Sequence, residues 1–134
     1  MSAFSRFPYT RLGAHFLPIV PVTIISRHVA FRTDAYVDSG AFYSIFRSEI
    51  MDSLGLRKEQ GRLKLLKAAD GKVIGSYLFR LTLEIGTVKL RPLIAFSDQL
   101  NVGFNLLGRH TVFSSFDEVA FNEKRKTVSF RLSN

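Results

Sequence analysis

Apolar positions along this chain alternate mostly with polar ones, the two-residue period of extended strands. Leu17 to Ile25 is rich in β-branched residues and carries Pro18 and Pro21 near its start, as an edge or entering strand allows. Val29 to Val37 reads as its partner across a turn at Ser26-Arg27-His28. The alternation breaks at Asp38-Ser39-Gly40, and Ala41 to Phe46 resumes extended. Phe46, Ile50 and Leu54 then recur at helical spacing, and Gly55 stands where a left-handed C-terminal cap belongs. That predicts a helix over 47–54. Arg62 to Ala68 and Val73 to Ile85 read as strands joined by Ala69-Asp70-Gly71-Lys72, since Asp-Gly favours a tight hairpin turn. Gly86-Thr87 predicts a further turn, Val88 to Phe96 a strand, and Gly108 to Phe113 a short helix. Two closing strands flank Lys124-Arg125-Lys126. The pattern predicts one all-β domain over 1–134 with one or two short helices. Residues 1–16 read as a flexible N-terminal extension.

Composition narrows this further. At 134 residues the chain suits a single domain, and with 46% hydrophobic residues and thirteen phenylalanines it can build a core without staples. Cysteine is absent, so neither disulfides nor thiolate metal sites are expected. The apolar stretch Phe16 to Val22 is short and broken by prolines, unlike a signal peptide, and no run approaches a membrane span. The sequence reads as soluble and cytoplasmic, without a membrane partner. Its net charge of +8 attracts polyanions in general. The cations are scattered, however, and the one tight run, Lys124-Arg125-Lys126, falls where a solvated hairpin turn is expected. A basic nucleic-acid-binding barrel therefore rests on charge alone, and no specific nucleic-acid partner is expected.

The candidate chemistry lies at Ala35-Tyr36-Val37-Asp38-Ser39-Gly40-Ala41, where an apolar run ends in a carboxylate on a turn. A carboxylate held at the end of a buried strand is placed for acid/base work rather than for solubility. Far later comes a second apolar run ending in glycine, Phe104-Asn105-Leu106-Leu107-Gly108-Arg109. His15, His28 and His110 show no ligand-like spacing, no nucleophile elbow surrounds Ser39 or Ser44, and no Gly-rich phosphate loop is present. Neither a metal nor another cofactor is expected.

In this order the two segments resemble the retropepsin-like (clan AA) aspartic proteases, and the resemblance runs from about Leu17 onward. It implies a retropepsin-like acid-protease barrel, one lobe per chain, acting as a peptide hydrolase. Asp38 becomes the catalytic carboxylate. Such proteolysis uses two carboxylates sharing one proton, and none of Asp34, Asp52, Asp70, Asp98 or Asp117 lies in a second such motif. A homodimer with two Asp38 side chains is therefore required, with a peptide or protein as substrate. Ser39 would bond the partner loop, with serine in place of the commoner threonine. The Gly40 N–H would bond the carboxylate, and Ala41 would leave room for the substrate backbone. Ala69, Asp70, Gly71 and Lys72 form the candidate flap. Leu106, Leu107, Gly108 and Arg109 would pack beneath the active-site loop.

Two departures stand out. Phe42 occupies the position of the aspartate that pairs with the family's arginine, and His110 replaces a usual Asp or Asn. An inactive dimerisation or peptide-binding module is the alternative, supported by the missing acidic partner for Arg109 and by the serine at position 39. Phe7-Pro8 resembles the aromatic-proline bonds that retroviral proteases cleave, which suggests autoprocessing.

Overall fold

Val20, Val22 and Ile24 alternate along one strand and are fully buried, which makes that strand the centre of the core. The computed structural model describes residues 2–68, 70–100 and 102–133. Its elements are β1 (Ala3–Pro8), β2 (Thr10–Leu12), β3 (His15–Leu17), β4 (Ile19–Ser26), β5 (Val29–Val37), β6 (Ile45–Arg47) and α1 (Glu49–Ser53). There follow β7 (Arg62–Lys67), β8 (Val73–Arg80), β9 (Thr82–Ile85), β10 (Val88–Leu90), β11 (Leu93–Ser97), β12 (Asn105–Leu107), β13 (Glu118–Asn122) and β14 (Thr127–Leu132). The fold is all-β, a single lobe with very little helix.

The main sheet has the order β10-β9-β4-β5-β12-β6-β11-β8-β7. β4 and β5 pair antiparallel from Ile19↔Tyr36 to Ser26↔Val29, joined by Arg27-His28 with Arg27 at φ 55°. β12 then enters between β5 and β6, parallel to the first and antiparallel to the second. This insertion fixes the geometry of the site, because it brings the end of β12 beside the end of β5. A second sheet, β1-β14-β13, joins the same core, with Phe7 and Phe116 packed around the buried Phe130.

Several expected elements are shorter or broken. Extended structure after the Asp38 turn begins only at Ile45, and the helix covers Glu49–Ser53, ending before Gly55 at φ 71°. The run Val73 to Ile85 breaks at Leu81, and Val88 to Phe96 breaks at Arg91-Pro92. The two breaks face each other, since the Leu81 N–H bonds the Pro92 carbonyl at 3.2 Å. There the chain leaves the β7-β8-β11 side of the sheet for the β4-β9-β10 side. Gly108 to Phe113 is not a helix. It is a turn with Thr111 at φ 67°, and only Phe113–Ser115 forms a 3₁₀ turn. The Thr111 hydroxyl accepts the Leu93 N–H at 2.9 Å and so ties this turn to β11.

The N-terminal segment differs most from expectation. β1 pairs along its whole length with β14, from Ala3↔Leu132 to Pro8↔Thr127, and β2 and β3 form a hairpin. Alternation with the buried face of β14 recruits it, Phe7 lying opposite Val128. The Phe7-Pro8 bond therefore sits inside a paired strand, not in a loose tail. Lys124-Arg125-Lys126 forms the expected exposed turn between β13 and β14.

Candidate active site

Val37, the last residue of β5, is fully buried and its N–H bonds the Pro18 carbonyl at 2.8 Å. The next N–H, that of Asp38, bonds the carbonyl of Leu107 at the end of β12, at 3.0 Å. The loop then turns back, with the Ala41 N–H on the Asp38 carbonyl at 3.1 Å. Inside the turn the Gly40 N–H donates to the Asp38 carboxylate at 2.9 Å, which fixes the orientation of that side chain. A Cβ on Gly40 would stand 3.2 Å from that same oxygen, so glycine suits this close approach. Asp38 is half-buried, and Ser39 and Gly40 are exposed beside it.

The segment after β12 supports this loop from below. Leu107 and Gly108 are buried. A Cβ on Gly108 would lie 2.4 Å from the Tyr43 carbonyl oxygen, so only glycine permits this contact. The Gly108 N–H is taken by the hydroxyl of Ser44, itself fully buried, at 2.9 Å. The Arg109 and His110 N–H groups bond the carbonyls of Ala41 and Phe42 at 2.9 and 2.7 Å. The two segments are thus zipped together through their backbones. Leu106 turns its side chain toward the cleft, and the Arg109 side chain is exposed, with no ion pair among the described residues.

Asp38 opens onto a cleft of about 1130 Å³. One wall is the Gly40-Ala41-Phe42-Tyr43 stretch, and the facing wall is the β7–β8 hairpin with Leu66, Lys67, Ile74, Asp70 and Lys72. Leu17, Tyr36, Gln99, Leu100, Val102, Phe104 and Leu106 complete a mostly apolar lining. At the hairpin tip Gly71 adopts φ 87°, its N–H bonds the Ala68 carbonyl at 2.9 Å, and Asp70 accepts the Lys72 N–H at 3.0 Å. Ala69, expected in the flap, lies outside the described residues. Two positions below its tip the hairpin is anchored through Gly75, whose N–H bonds Gln99 and whose carbonyl accepts the Ser97 hydroxyl, both at 2.6 Å.

Asp38 and Asp70 are the carboxylates that line this cleft among the described residues, and Asp70 is engaged by its own turn. A smaller pocket of about 270 Å³ on the other side of the loop contains Asp38, Ser39 and Glu123. There Glu123 accepts the hydroxyl of Tyr9. Among the described residues no three His, Asp or Glu side chains converge as a metal-binding set.

Sequence reasoning missed Ser44, Asn105, Gln99 and the aromatic wall. Asn105, buried within an apolar run, donates to the Asp34 carbonyl at 2.9 Å and accepts the Arg47 N–H at 3.0 Å, stitching β5 to β6. A lone amide inside Phe104-Asn105-Leu106-Leu107 is the signal that was available for it. Phe42 does not merely lack a carboxylate. Its ring stacks on His110 at 4.9 Å and 11°, and Tyr43 meets both rings edge-on.

No protein-family model matches this sequence, and no curated protein matches it. Among solved structures, the chain is similar to a retropepsin-like aspartic protease from Rickettsia conorii. The two share 15% sequence identity with a TM-score of 0.63, over 98% of this chain and 94% of that one. At that identity the likeness establishes the architecture: the chain has a retropepsin-like fold.

Proposed function

We propose that this protein is an aspartic endopeptidase that works as a homodimer, with Asp38 of each chain forming the catalytic pair. The observation that carries this reading is the setting of Asp38. It is half-buried, fixed to the Leu107 carbonyl and the Gly40 N–H, and opens onto an apolar cleft beneath a hairpin. A lone carboxylate there supplies only half of the required acid/base chemistry. A two-fold axis through the exposed Ser39 would supply the rest, with Ser39 of each chain bonding the opposite loop.

In the paired site one carboxylate is ionised and the other protonated, because like charges in contact resist joint ionisation. The ionised group takes a proton from water as the oxygen attacks the scissile carbonyl carbon. The protonated group gives its proton to the carbonyl oxygen, so a neutral gem-diol forms. On collapse one gem-diol hydroxyl returns its proton to the carboxylate that had given one up, the C–N bond breaks, and the leaving nitrogen receives a proton from the carboxylate that gained one, which restores the singly protonated pair. One water is consumed, and no covalent enzyme intermediate forms. The β7–β8 hairpin would cover an extended peptide and offer it backbone hydrogen bonds. Apolar side chains beside the scissile bond fit the lining.

The test is Asp38→Asn, followed for peptide cleavage and for dimer mass together. The expected result is loss of cleavage, by at least about a hundredfold on general acid/base grounds, with the dimer retained. Activity should also be confined to acidic or mildly acidic pH, where one proton remains on the pair. Arg109, which forms no ion pair among the described residues, favours a second reading, a retropepsin-like peptide-binding module without catalysis. Absence of cleavage by the unmutated protein across pH and substrates would select that reading.

A further inference from the structure

An exposed phenylalanine on the wall of a binding cleft is costly in water unless something covers it. Phe42 is 51% exposed, yet it is held firmly. His110 backs one face of its ring at 4.9 Å, the Tyr43 ring meets it at 80°, and its carbonyl is fixed by the His110 N–H at 2.7 Å. The ring is therefore a preorganised flat surface, not a side chain that moves aside. It lines the same cleft as Asp38, with Ser39, Gly40 and Ala41 between the two along the chain. A peptide lying in this cleft with its scissile bond at Asp38 has Phe42 on the wall beside its neighbouring side chains.

We propose that Phe42, braced by His110 and Tyr43, is a stacking platform that selects peptides carrying an aromatic side chain at a position flanking the scissile bond. The proposal rests on the peptidase reading for the word scissile, but the platform itself requires only that the cleft bind extended peptides. Aromatic pairs prefer offset stacking or edge-to-face contact, and each adds to the gain from burial alone. A carboxylate at this position would instead accept backbone N–H groups and be indifferent to the side chain. The chain thus exchanges a sequence-neutral contact for a side-chain-selective one.

The experiment uses peptide sets that differ only in having Phe, Leu, Ala or Asp at each position flanking a common apolar core. Cleavage is measured with the unmutated protein, Phe42→Leu and Phe42→Ala. Binding of the same peptides is measured by fluorescence anisotropy with Asp38→Asn. Phe42→Leu keeps an apolar side chain at a half-exposed position, so it guards against a folding defect in Phe42→Ala. The expected result is a preference of roughly three- to tenfold for Phe over Ala at one flanking position, seen mainly in KM. That preference falls to within about twofold of unity in Phe42→Ala and is reduced in Phe42→Leu. A preference that persists in both variants, or none in the unmutated protein, overturns the platform while cleavage leaves the peptidase reading standing. Binding of the Phe peptide that depends on Phe42, with no cleavage of any peptide, upholds the platform and removes the peptidase reading. Neither binding nor cleavage removes both.

Discussion

Ser44 is a fully buried hydroxyl that accepts the Gly108 N–H at 2.9 Å, and that bond sets the height of the Asp38 loop above β12. Ser44→Ala leaves a buried N–H without a partner, which costs about 1–3 kcal/mol. Gly108→Ala should cost at least as much, because its Cβ would meet backbone atoms of Tyr43 at 2.4 and 2.6 Å, and backbone yields less readily than a side chain. Urea melts of the two variants check this, and melts that overlay the unmutated protein would discard the account of how the loop is supported. These positions also show what a sequence reveals at this scale. Asp38-Ser39-Gly40-Ala41 and Leu106-Leu107-Gly108 are legible because each is a local pattern of apolar residues ending in a turn. Ser44 is not, because its partner lies 64 residues away, and the Asn105 amide reaches a carbonyl 71 residues away. A polar residue whose purpose is a distant backbone group leaves no periodic trace. Phe42 was legible as a substitution, but its packing against His110 and Tyr43, which turns it into a surface, is a tertiary contact.

Among the elements, the hairpins were the most legible, since strand alternation and turn chemistry are both local. β4–β5 and β7–β8 form close to where alternation placed them, with Gly71 at φ 87° at the tip of the second. Strand breaks were less legible, because the strand-like pattern continues on both sides of Leu81 and of Pro92, and the sheet crossing depends on tertiary pairing. The N-terminal strand was missed for a related reason: its pairing partner, β14, lies at the other end of the chain. Tyr9 locks that arrangement. Its N–H bonds the Lys126 carbonyl at 2.8 Å and its hydroxyl donates to Glu123, so the β1–β2 junction is clasped to the β13–β14 turn. Burial, and then the hydrogen bond and charge of Glu123, push the Tyr9 phenol up from 10.0 to about 12. The folded protein therefore keeps this proton at pH values where the unfolded chain has released it. The stabilisation is complete below the unfolded value of 10.0 and is lost as pH rises toward about 12. Over that window the unmutated protein should lose more stability than Tyr9→Phe, by about 1–2 kcal/mol once solvent screening at the exposed Glu123 is allowed for. Denaturant midpoints at a series of alkaline pH values measure the difference, and parallel pH profiles for the two proteins would rule out the clasp.

At the scale of the whole molecule, the question is whether one chain can hold a complete catalytic pair. Within the chain, the carboxylates near Asp38 among the described residues are Asp70 across the cleft and Glu123 in the smaller pocket. Asp70 accepts the Lys72 N–H and Glu123 the Tyr9 hydroxyl, so each is held by a local contact of its own. The proposed homodimer predicts a dose response that no single-chain site can imitate. When unmutated protein is held fixed and mixed with a growing excess of Asp38→Asn, random exchange of subunits converts active pairs into mixed pairs that carry one carboxylate and one amide. Cleavage per unmutated chain should fall in proportion to the unmutated fraction, and it should recover on dilution into fresh unmutated protein. Specific activity of the unmutated protein alone should likewise rise with concentration until the dimer is saturated. An active site completed within one chain, with Glu123 as the second group, gives flat lines in both experiments and loses activity in Glu123→Gln. The mixing curve alone separates the two arrangements, because subunit exchange changes which carboxylates meet without altering the fold of either chain.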